Sequence, residues 1–296
     1  MLGCIAGDIA GSTYEGCSDN PQGLPLLGGG SVFTDDSVVV AAVADALGSG
    51  TDVADAIRSW VKRYPARGYG SWFVSWCRTP GAGPTESHGN GSAMRMGPVA
   101  LAARNEEDLG RLVREVVGIT HSDAGALSAS FALATAVFMG IKGESKGAIR
   151  DKVSSLGFYR RESVEELRAL AEFSEMATRT VPVALVCALE ASSFEGALRN
   201  AIAVGGDTDT IASMAGGLAE ALYGVPAVVR EQVEAKVPAE MMVALRVLYE
   251  TSGREFPLPG DPANTCLPRS EQLDQLSTHW WSSLGRWARG RAGKSG

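Results

Sequence analysis

The chain has 296 residues, of which 45% are hydrophobic and 21% are charged, and this is the composition of an ordinary globular protein with a sizeable core. Its formal net charge of −7 argues against a general nucleic-acid binder, because phosphate backbones are bound by clustered Lys and Arg. Five scattered cysteines without a CxxC pair argue against a disulfide framework or a zinc site and favour reduced thiols in a cytoplasm.

The apolar residues repeat with the period of helices, and no stretch alternates convincingly with the period of a strand. In chain order, helices are predicted at 36–47, 52–63, 92–104, 109–117, 128–141, 162–178, 181–189, 194–204, 215–224, 226–235 and 238–251. Pro182 has a position suited to a first helical turn. The Ala-rich runs 128–141 and 215–224 are apolar nearly all round, as expected of central buried helices. No segment approaches the roughly 18 unbroken apolar residues of a membrane span, so we expect no contact with a membrane.

These patterns predict an all-α protein with one compact domain over residues 1–256. Glycine-rich connections at 23–30, 66–70 and 80–91 are long for a simple bundle, and long loops in compact domains are commonly functional. After Phe256 the composition changes to Pro, Asn, Ser and Trp. Residues 257–296 are therefore expected to form a partly irregular C-terminal extension that ends in a basic tail.

Two acidic segments, TDDS at 34–37 and DTDT at 207–210, stand at the starts of apolar helices. Each taken separately fits a helix cap, in which one oxygen accepts an orphan N–H and a carboxylate favours the helix dipole. Together they carry more carboxylate than caps use, and four buried aspartates are unfavourable unless cations neutralise them. Oxygen ligands suit Mg²⁺ or Mn²⁺ rather than zinc. If the two segments meet in space, they suffice for two metals about 3.5–4 Å apart.

Six segments occur in the order seen in a known family. They are GDIAGSTYEG (7–16), FTDDS (33–37), RGYG (67–70), HGNGSAMRMGPVAL (88–101), THSDAGAL (120–127) and GGDTDTIASMAGGLAEALYG (205–224). In these segments the chain resembles the ADP-ribosylglycohydrolases, which include ADP-ribosyl-serine, ADP-ribosyl-arginine and dinitrogenase reductase-activating hydrolases. The resemblance runs from residue 1 to about residue 250 and is greatest to the serine-type branch.

The resemblance implies an orthogonal helical bundle with two Mg²⁺ or Mn²⁺ ions in a central cleft, where they hold the distal ribose of ADP-ribose. By position, it implies that the metal ligands are Thr34, Asp35, Asp36, Asp207, Asp209 and Thr210. It assigns catalysis to Glu15 together with Asp35, Asp36 and Asp209. Glu15 would act as a general acid or base or as a movable ligand, although a glutamate at this position is also typical of an exposed loop.

The residues predicted to bind substrate are Gly70, Ser87, His88, Gly89, Asn90, Gly91, Ser92, Met94 and His121. Backbone N–H groups of residues 89–92 at a helix start could bind a pyrophosphate, whereas Asn-Gly also fits a simple turn. His121 is as consistent with a core or surface histidine as with a binding residue. His88 stands where the serine-type branch often has an aromatic residue, which leaves the contacts to the base or phosphate open.

The sequence therefore predicts a metal-dependent hydrolase, here a monomer, that removes ADP-ribose from a modified protein, with nucleic acid as a further candidate acceptor. Attack at C1″ of the distal ribose would pass through a transition state resembling an oxocarbenium ion. An O-linked, serine-type bond is the preferred substrate, and an arginine linkage stays open. The competing hypotheses are a non-catalytic ADP-ribose binder, an immunity protein that blocks a toxin, and a metal-dependent phosphatase.

Overall fold

The computed structural model describes residues 1–16, 25–170 and 173–258, so nearly all of the predicted C-terminal extension lies outside the described residues. Within them the fold is all-α, as predicted, with isolated β-bridges but no strand. The helices are α1 (Leu2–Gly11), α2 (Asp35–Ser49), α3 (Val53–Arg63), α4 (Ser71–Arg78), α5 (Met96–Ala102), α6 (Glu106–Gly118), α7 (Ala124–Ile141), α8 (Lys146–Ser155), α9 (Val164–Ala169), α10 (Ala177–Leu189), α11 (Phe194–Val204), α12 (Thr208–Tyr223), α13 (Ala227–Glu234) and α14 (Ala239–Thr251). A single 3-10 turn covers Asn90–Ser92.

Helix α12 lies at the centre of the bundle, in contact with α1, α2, α5, α7, α10 and α11. Every residue from Thr208 to Leu222 is buried. The small side chains of this helix explain its position, because Ala and Gly allow several neighbouring helices to approach at once. The prediction of a central helix in this part of the chain is confirmed.

Three glycines of α1 face the backbone of α12 directly. A Cβ atom added to Gly3, Gly7 or Gly11 would lie 2.2, 1.9 or 2.3 Å from a carbonyl oxygen of α12, closer than real Cβ atoms approach any neighbour. The two helices are therefore in backbone contact and run antiparallel. This contact sets the C-terminal end of α1 against the first turn of α12, where the second acidic segment begins.

The sequence predicts no segment near the apolar length of a membrane span, and helix α7 corrects this expectation. Its 18 residues have a mean hydropathy of 1.8 and, by length and composition, could cross a membrane. However, 78% of the helix is buried inside the protein, where it packs against α5, α6, α10 and α12. Such burial is typical of a core helix, so its apolar character is accounted for by packing.

The prediction of one continuous helix at 162–178 is wrong. The chain forms α9, and residues 173–176 before α10 are not helical, because the N–H of Asn90 donates to the carbonyl of Glu175 and the N–H of Ala177 donates to that of His88. Helix α10 thus starts at Ala177, which places Pro182 in the helix interior rather than in its first turn. The helix predicted at 92–104 is confirmed only from Met96 to Ala102.

Candidate active site

The N-terminal ends of α2 and α12 meet beside α1 and bring the acidic segments together. Carboxylate oxygens of Asp8, Asp36 and Asp209 lie within 4.8 Å of one another, and so do those of Glu15, Asp207 and Asp209. Asp209 belongs to both triads. The proximity that the sequence argument had to assume is therefore present.

Asp8 fixes the start of α2. Its carboxylate accepts hydrogen bonds from the Thr34 N–H at 2.9 Å, the Thr34 hydroxyl at 2.6 Å and the Ser37 N–H at 3.1 Å, and it also accepts from the Ser37 hydroxyl. The Thr34 hydroxyl in turn caps the helix by accepting from the Asp36 N–H at 3.3 Å. One buried carboxylate thus determines where the TDDS segment sits.

A pair of glycines determines the position of the second acidic segment. Gly205 and Gly206 both have positive φ, +82° and +80°, a conformation that glycine adopts without strain. The turn directs the Asp207 carboxylate toward the Asn90 side-chain amide, which donates to it at 2.7 Å. The N–H of Gly16 donates to the Gly206 carbonyl at 3.0 Å and so places the neighbouring Glu15 beside Asp207 and Asp209.

Burial, and after it the charges of neighbouring carboxylates, raises the pKa of these aspartates. Burial and, next, the charge of Asp8 raise the pKa of Asp35 to about 7, and burial and a hydrogen bond with Asp207 raise that of Asp209 to about 9. The pKa of Asp36 lies well above its usual range because the group is fully buried beside Asp209. The Oδ1 atom of Asp36 has no hydrogen-bond partner among the residues that the structure describes. Such a cluster needs bound cations or protons to be stable.

These groups form the floor of an open cleft of about 210 Å³. Trp72 and Phe73 of α4 form an aromatic side of the cleft, with ring centroids 5.8 Å apart. The loop before α4 is held against the acidic floor, because the Asp35 N–H donates to the Arg67 carbonyl at 2.8 Å. The cleft therefore combines an acidic floor with an aromatic side, an arrangement suited to a polar ligand that also carries flat groups.

Most of the predicted site residues line this single cleft. They are Glu15, Thr34, Asp35, Asp36, Gly70, Gly89, Asn90, Gly91, Met94, His121, Asp207, Asp209 and Thr210. Ser87, His88 and Ser92 do not line it. Ser87 accepts from the Gly89 N–H, buried Ser92 donates to the Gly89 carbonyl, and His88 pairs with Asp123 at 3.1 Å. These three residues shape the loop beside the cleft.

The predicted pyrophosphate cradle at residues 89–92 has little donor capacity left. The N–H of Gly89 donates to the Ser87 hydroxyl, that of Asn90 to the Glu175 carbonyl, and that of Ser92 to the Gly89 carbonyl. The helix at this point is a 3-10 turn of three residues and not the start of a long helix. Of the four N–H groups, that of Gly91 has no intramolecular acceptor among these bonds.

Comparison with known proteins decides the family. A sequence model of the family described as ADP-ribosylglycohydrolase matches residues 1–255. The chain belongs to the ADP-ribosylglycohydrolase family. It is 28% identical to ADP-ribosylhydrolase ARH3 of Danio rerio over 77% of this chain and 82% of that protein. It is also 28% identical to an ADP-ribosyl-dinitrogen reductase glycohydrolase of Rhodospirillum rubrum, over 86% of this chain and 95% of the relative.

Two further relatives extend the comparison. ADP-ribosylarginine hydrolase Tri1 of Pseudomonas putida (strain GB-1) is 25% identical over 79% of this chain and 72% of its own length. A solved structure described as an ADP-ribosylglycohydrolase-related protein complex superposes with a TM-score of 0.66 at 25% identity and covers 85% of this chain and 95% of its own. The helical fold described above is therefore that of an ADP-ribosylglycohydrolase.

Four residues that line this ADP-ribosylglycohydrolase cleft were missed from the sequence, Arg67, Trp72, Phe73 and Glu175, and so was Asp8 of the first carboxylate triad. The sequence marks Asp8 as the single charged residue of the apolar, glycine-rich segment 2–11, although only the structure shows its burial and its partners. Glu175 has no such signal in the sequence, because it enters the site only through the segment that pairs with residues 88–90.

Proposed function

We propose that this protein is a metal-dependent hydrolase that cleaves the glycosidic bond between ADP-ribose and a modified acceptor. The observation that carries the proposal is the pair of carboxylate triads that share Asp209, in a cleft of a chain that belongs to the ADP-ribosylglycohydrolase family. Membership of the family supports the reaction, and the triads support its dependence on metal.

The donor set fits two hard divalent cations. All of the candidate donors are oxygen atoms, which suits Mg²⁺ or Mn²⁺, and the unpartnered Asp36 Oδ1 is a buried acceptor that a cation would satisfy. The residues that would hold the ions are Thr34, Asp35, Asp36, Asp207, Asp209 and Thr210. When bound, such ions supply charge that orients hydroxyl groups and favours a water nucleophile at neutral pH.

The chain's own residues provide the remaining functions. Asp8 holds Thr34 and the start of α2 in place, and Asn90 orients the Asp207 carboxylate. Glu15 is an exposed loop residue beside the acidic floor, and partial burial of its carboxyl group, then the charges of Asp207 and Glu175, raise its pKa. A carboxyl group with a raised pKa holds its proton closer to neutral pH and so can give it to a departing oxygen.

The difference between the two leaving groups is our reason to prefer an O-linked substrate. A serine alkoxide is a poor leaving group and needs a proton donor, which Glu15 supplies, whereas an arginine guanidine departs with less assistance. The acceptor would be a modified protein, with a nucleic acid as the second candidate. The name of the Tri1 relative makes the arginine linkage the alternative to be tested directly.

The decisive experiment offers serine-, arginine- and nucleic-acid-linked ADP-ribose to the purified protein, with Mg²⁺, with Mn²⁺ and with chelator, and measures free ADP-ribose. We expect metal-dependent release, fastest from the serine linkage, and its loss in Asp209→Asn. The matched control is Asp52→Asn, which changes a helix cap on α3 outside the cleft and should retain full activity.

Release that continues in chelator would reject the metal assignment. Phosphate release without ADP-ribose would identify a phosphatase, and tight binding without turnover would identify a non-catalytic binder.

A further inference from the structure

Arg95 is a fully buried arginine beside the cleft. Its Nη2 atom lies 2.5 Å from the Thr120 hydroxyl and 3.3 Å from Nδ1 of His121. Its Nε and Nη1 atoms have no hydrogen-bond partner, and no carboxylate pairs with it in the described part of the chain. Burying an unpaired guanidinium is costly, so a role beyond packing must account for this residue.

The hydrogen bonds around Arg95 fix the proton of His121. A guanidinium can only donate, so the Thr120 oxygen accepts from Arg95 and its own hydrogen is left to donate. Two acceptors lie within reach of that hydrogen, the Val117 carbonyl at 3.5 Å and Nδ1 of His121 at 2.8 Å, and the shorter distance favours Nδ1. Nδ1 therefore lies within hydrogen-bond distance of two donors, Thr120 and Arg95, and acts as the acceptor. In a neutral imidazole the single proton then sits on Nε2.

His121 lines the cleft, and its Nε2 atom is buried without a hydrogen-bond partner among the described residues. The residue as a whole is 1% exposed. Nε2 lies 3.8 Å from the position that a Cβ on Gly89 would occupy, and the ring meets Trp72 edge-on with centroids 5.2 Å apart. A buried N–H without an acceptor costs free energy until a ligand oxygen satisfies it.

The charge state of the ring is consistent with this arrangement. Burial and the charge of Arg95 lower the pKa of His121 to about 3. The ring therefore presents a donor without a positive charge. At the same corner of the cleft, the N–H groups of Gly89, Asn90 and Ser92 already have intramolecular acceptors, so donors for a ligand are scarce there.

We propose that Arg95 and Thr120 lock His121 in its neutral Nε2–H tautomer, and that this N–H donates to an acceptor oxygen of the ligand held in the cleft. Arg95 is then a positioning residue that acts through His121. The identity of the ligand as ADP-ribose rests on the proposed function, whereas the tautomer does not.

The first test is spectroscopic and needs no ligand. The chain contains three histidines, so ¹⁵N-labelled imidazoles give a small set of long-range ¹H–¹⁵N correlations, and His121→Gln identifies the signal of interest. We expect wild-type His121 to show a single neutral Nε2–H tautomer. A Nδ1–H tautomer, a mixture of the two or a charged ring would overturn the proposal.

The second test uses variants. In Thr120→Val and Arg95→Met we expect His121 to populate both neutral tautomers and the Kd for ADP-ribose to rise in inverse proportion to the remaining Nε2–H fraction, about 2-fold where the two tautomers are equally populated. In turnover, KM should rise with kcat nearly unchanged, and Arg95→Lys should restore part of the affinity. The control is Arg58→Met, which removes a guanidinium packed 4.3 Å over Trp76 and should leave the tautomer and Kd unchanged.

The outcomes separate the two proposals. If Thr120→Val folds but retains both the Nε2–H tautomer and the wild-type Kd, the locking role is wrong. If the wild type shows the locked tautomer but neither binds ADP-ribose nor releases it from any substrate, the locking role stands and the proposed function fails. Thr120→Val serves as the milder change because it removes one hydroxyl and keeps the shape of the side chain.

Discussion

The hydroxyl of Thr208 donates a 2.9 Å hydrogen bond to the carbonyl oxygen of Gly11, from the first turn of α12 to the last turn of α1. A Cβ on Gly11 would lie 2.3 Å from the Thr208 carbonyl oxygen, so the bond exists only because α1 ends in glycine. This contact joins Asp8 on α1 to Asp209 on α12 and makes the acidic floor depend on the packing of the two helices.

Gly7→Ala should therefore damage the site from a distance. The added Cβ would lie 1.9 Å from the Ala212 carbonyl oxygen, so α1 must move away from α12 and separate Asp8 from Asp209. We expect lower thermal stability and weaker Mn²⁺ binding, measured by calorimetric unfolding and metal titration. Gly147→Ala is the control, because this helical glycine of α8 has room for a Cβ and the change should stabilise by up to about 1 kcal/mol. Equal metal affinity in the two variants would contradict the prediction.

Asp8→Asn should weaken metal binding although Asp8 itself already accepts four hydrogen bonds. An amide at this position replaces one acceptor oxygen by a donor, which then opposes the donors of Thr34 and Ser37. We expect a rise in the metal Kd and a fall in kcat/KM of about 10²-fold, as for the loss of supporting partners around metal ligands. Asp45→Asn is a useful comparison, because Asp45 accepts from Trp60 at 2.9 Å outside the cleft. Normal metal affinity in Asp8→Asn would show that α2 is held by other contacts.

Stability without metal should fall as the pH rises. In the folded state the pKa is raised to about 7 for Asp35 and to about 9 for Asp209, against about 3.9 in an unfolded chain. The folded state therefore keeps protons that the unfolded state has lost, and this stabilisation disappears as the pH rises from about 4 through these folded values.

In chelator, the Tm of the wild type should drop more steeply between pH 6 and pH 9 than that of Asp209→Asn. Added Mg²⁺ should flatten the wild-type curve, since it binds the ionised carboxylates. Parallel curves for the two proteins would contradict the prediction.

The acidic helix starts could be predicted from the sequence because each one is a local pattern. TDDS and DTDT each carry surplus oxygen ligands within four residues of an apolar helix, and no knowledge of tertiary structure is needed to notice them. The role of Asp8 could not be predicted in this way, since its partners Thr34 and Ser37 are 26 and 29 residues away. Helix α1 itself was missed because its glycines disfavour a helix intrinsically. Tertiary contact with α12 overrides that preference.

The surroundings of His121 also depend on residues distant in sequence, which local patterns do not reveal. The sequence left the residue equally consistent with a core and a site position, and the fold gives it both, since it is buried and yet lines the cleft. Its tautomer depends on Arg95, 26 residues away. Likewise the 162–178 prediction failed because residues 175–177 pair with the 88–90 loop, a contact that no helical periodicity can reveal.

Glu15 gives the test of the linkage chemistry. Glu15→Ala should reduce the rate on serine-linked ADP-ribose by at least about 10²-fold, the lower end of typical acid–base contributions, and should reduce the rate on the arginine linkage less, because a guanidine leaves with less assistance. The metal Kd must be measured in the same variant, because Glu15 lies in a triad with Asp207 and Asp209.

Glu175→Gln supplies the companion measurement. The charge of Glu175 is one cause of the raised pKa of Glu15, so removing that charge lowers the pKa and leaves less of Glu15 protonated near neutral pH. If Glu15 is the general acid, the alkaline limb of the kcat profile should move to lower pH in Glu175→Gln, with the rate below that limb unchanged. An unmoved limb, or near-normal release from the serine linkage by Glu15→Ala, would assign proton transfer to another group and would remove the reason to prefer the O-linked substrate.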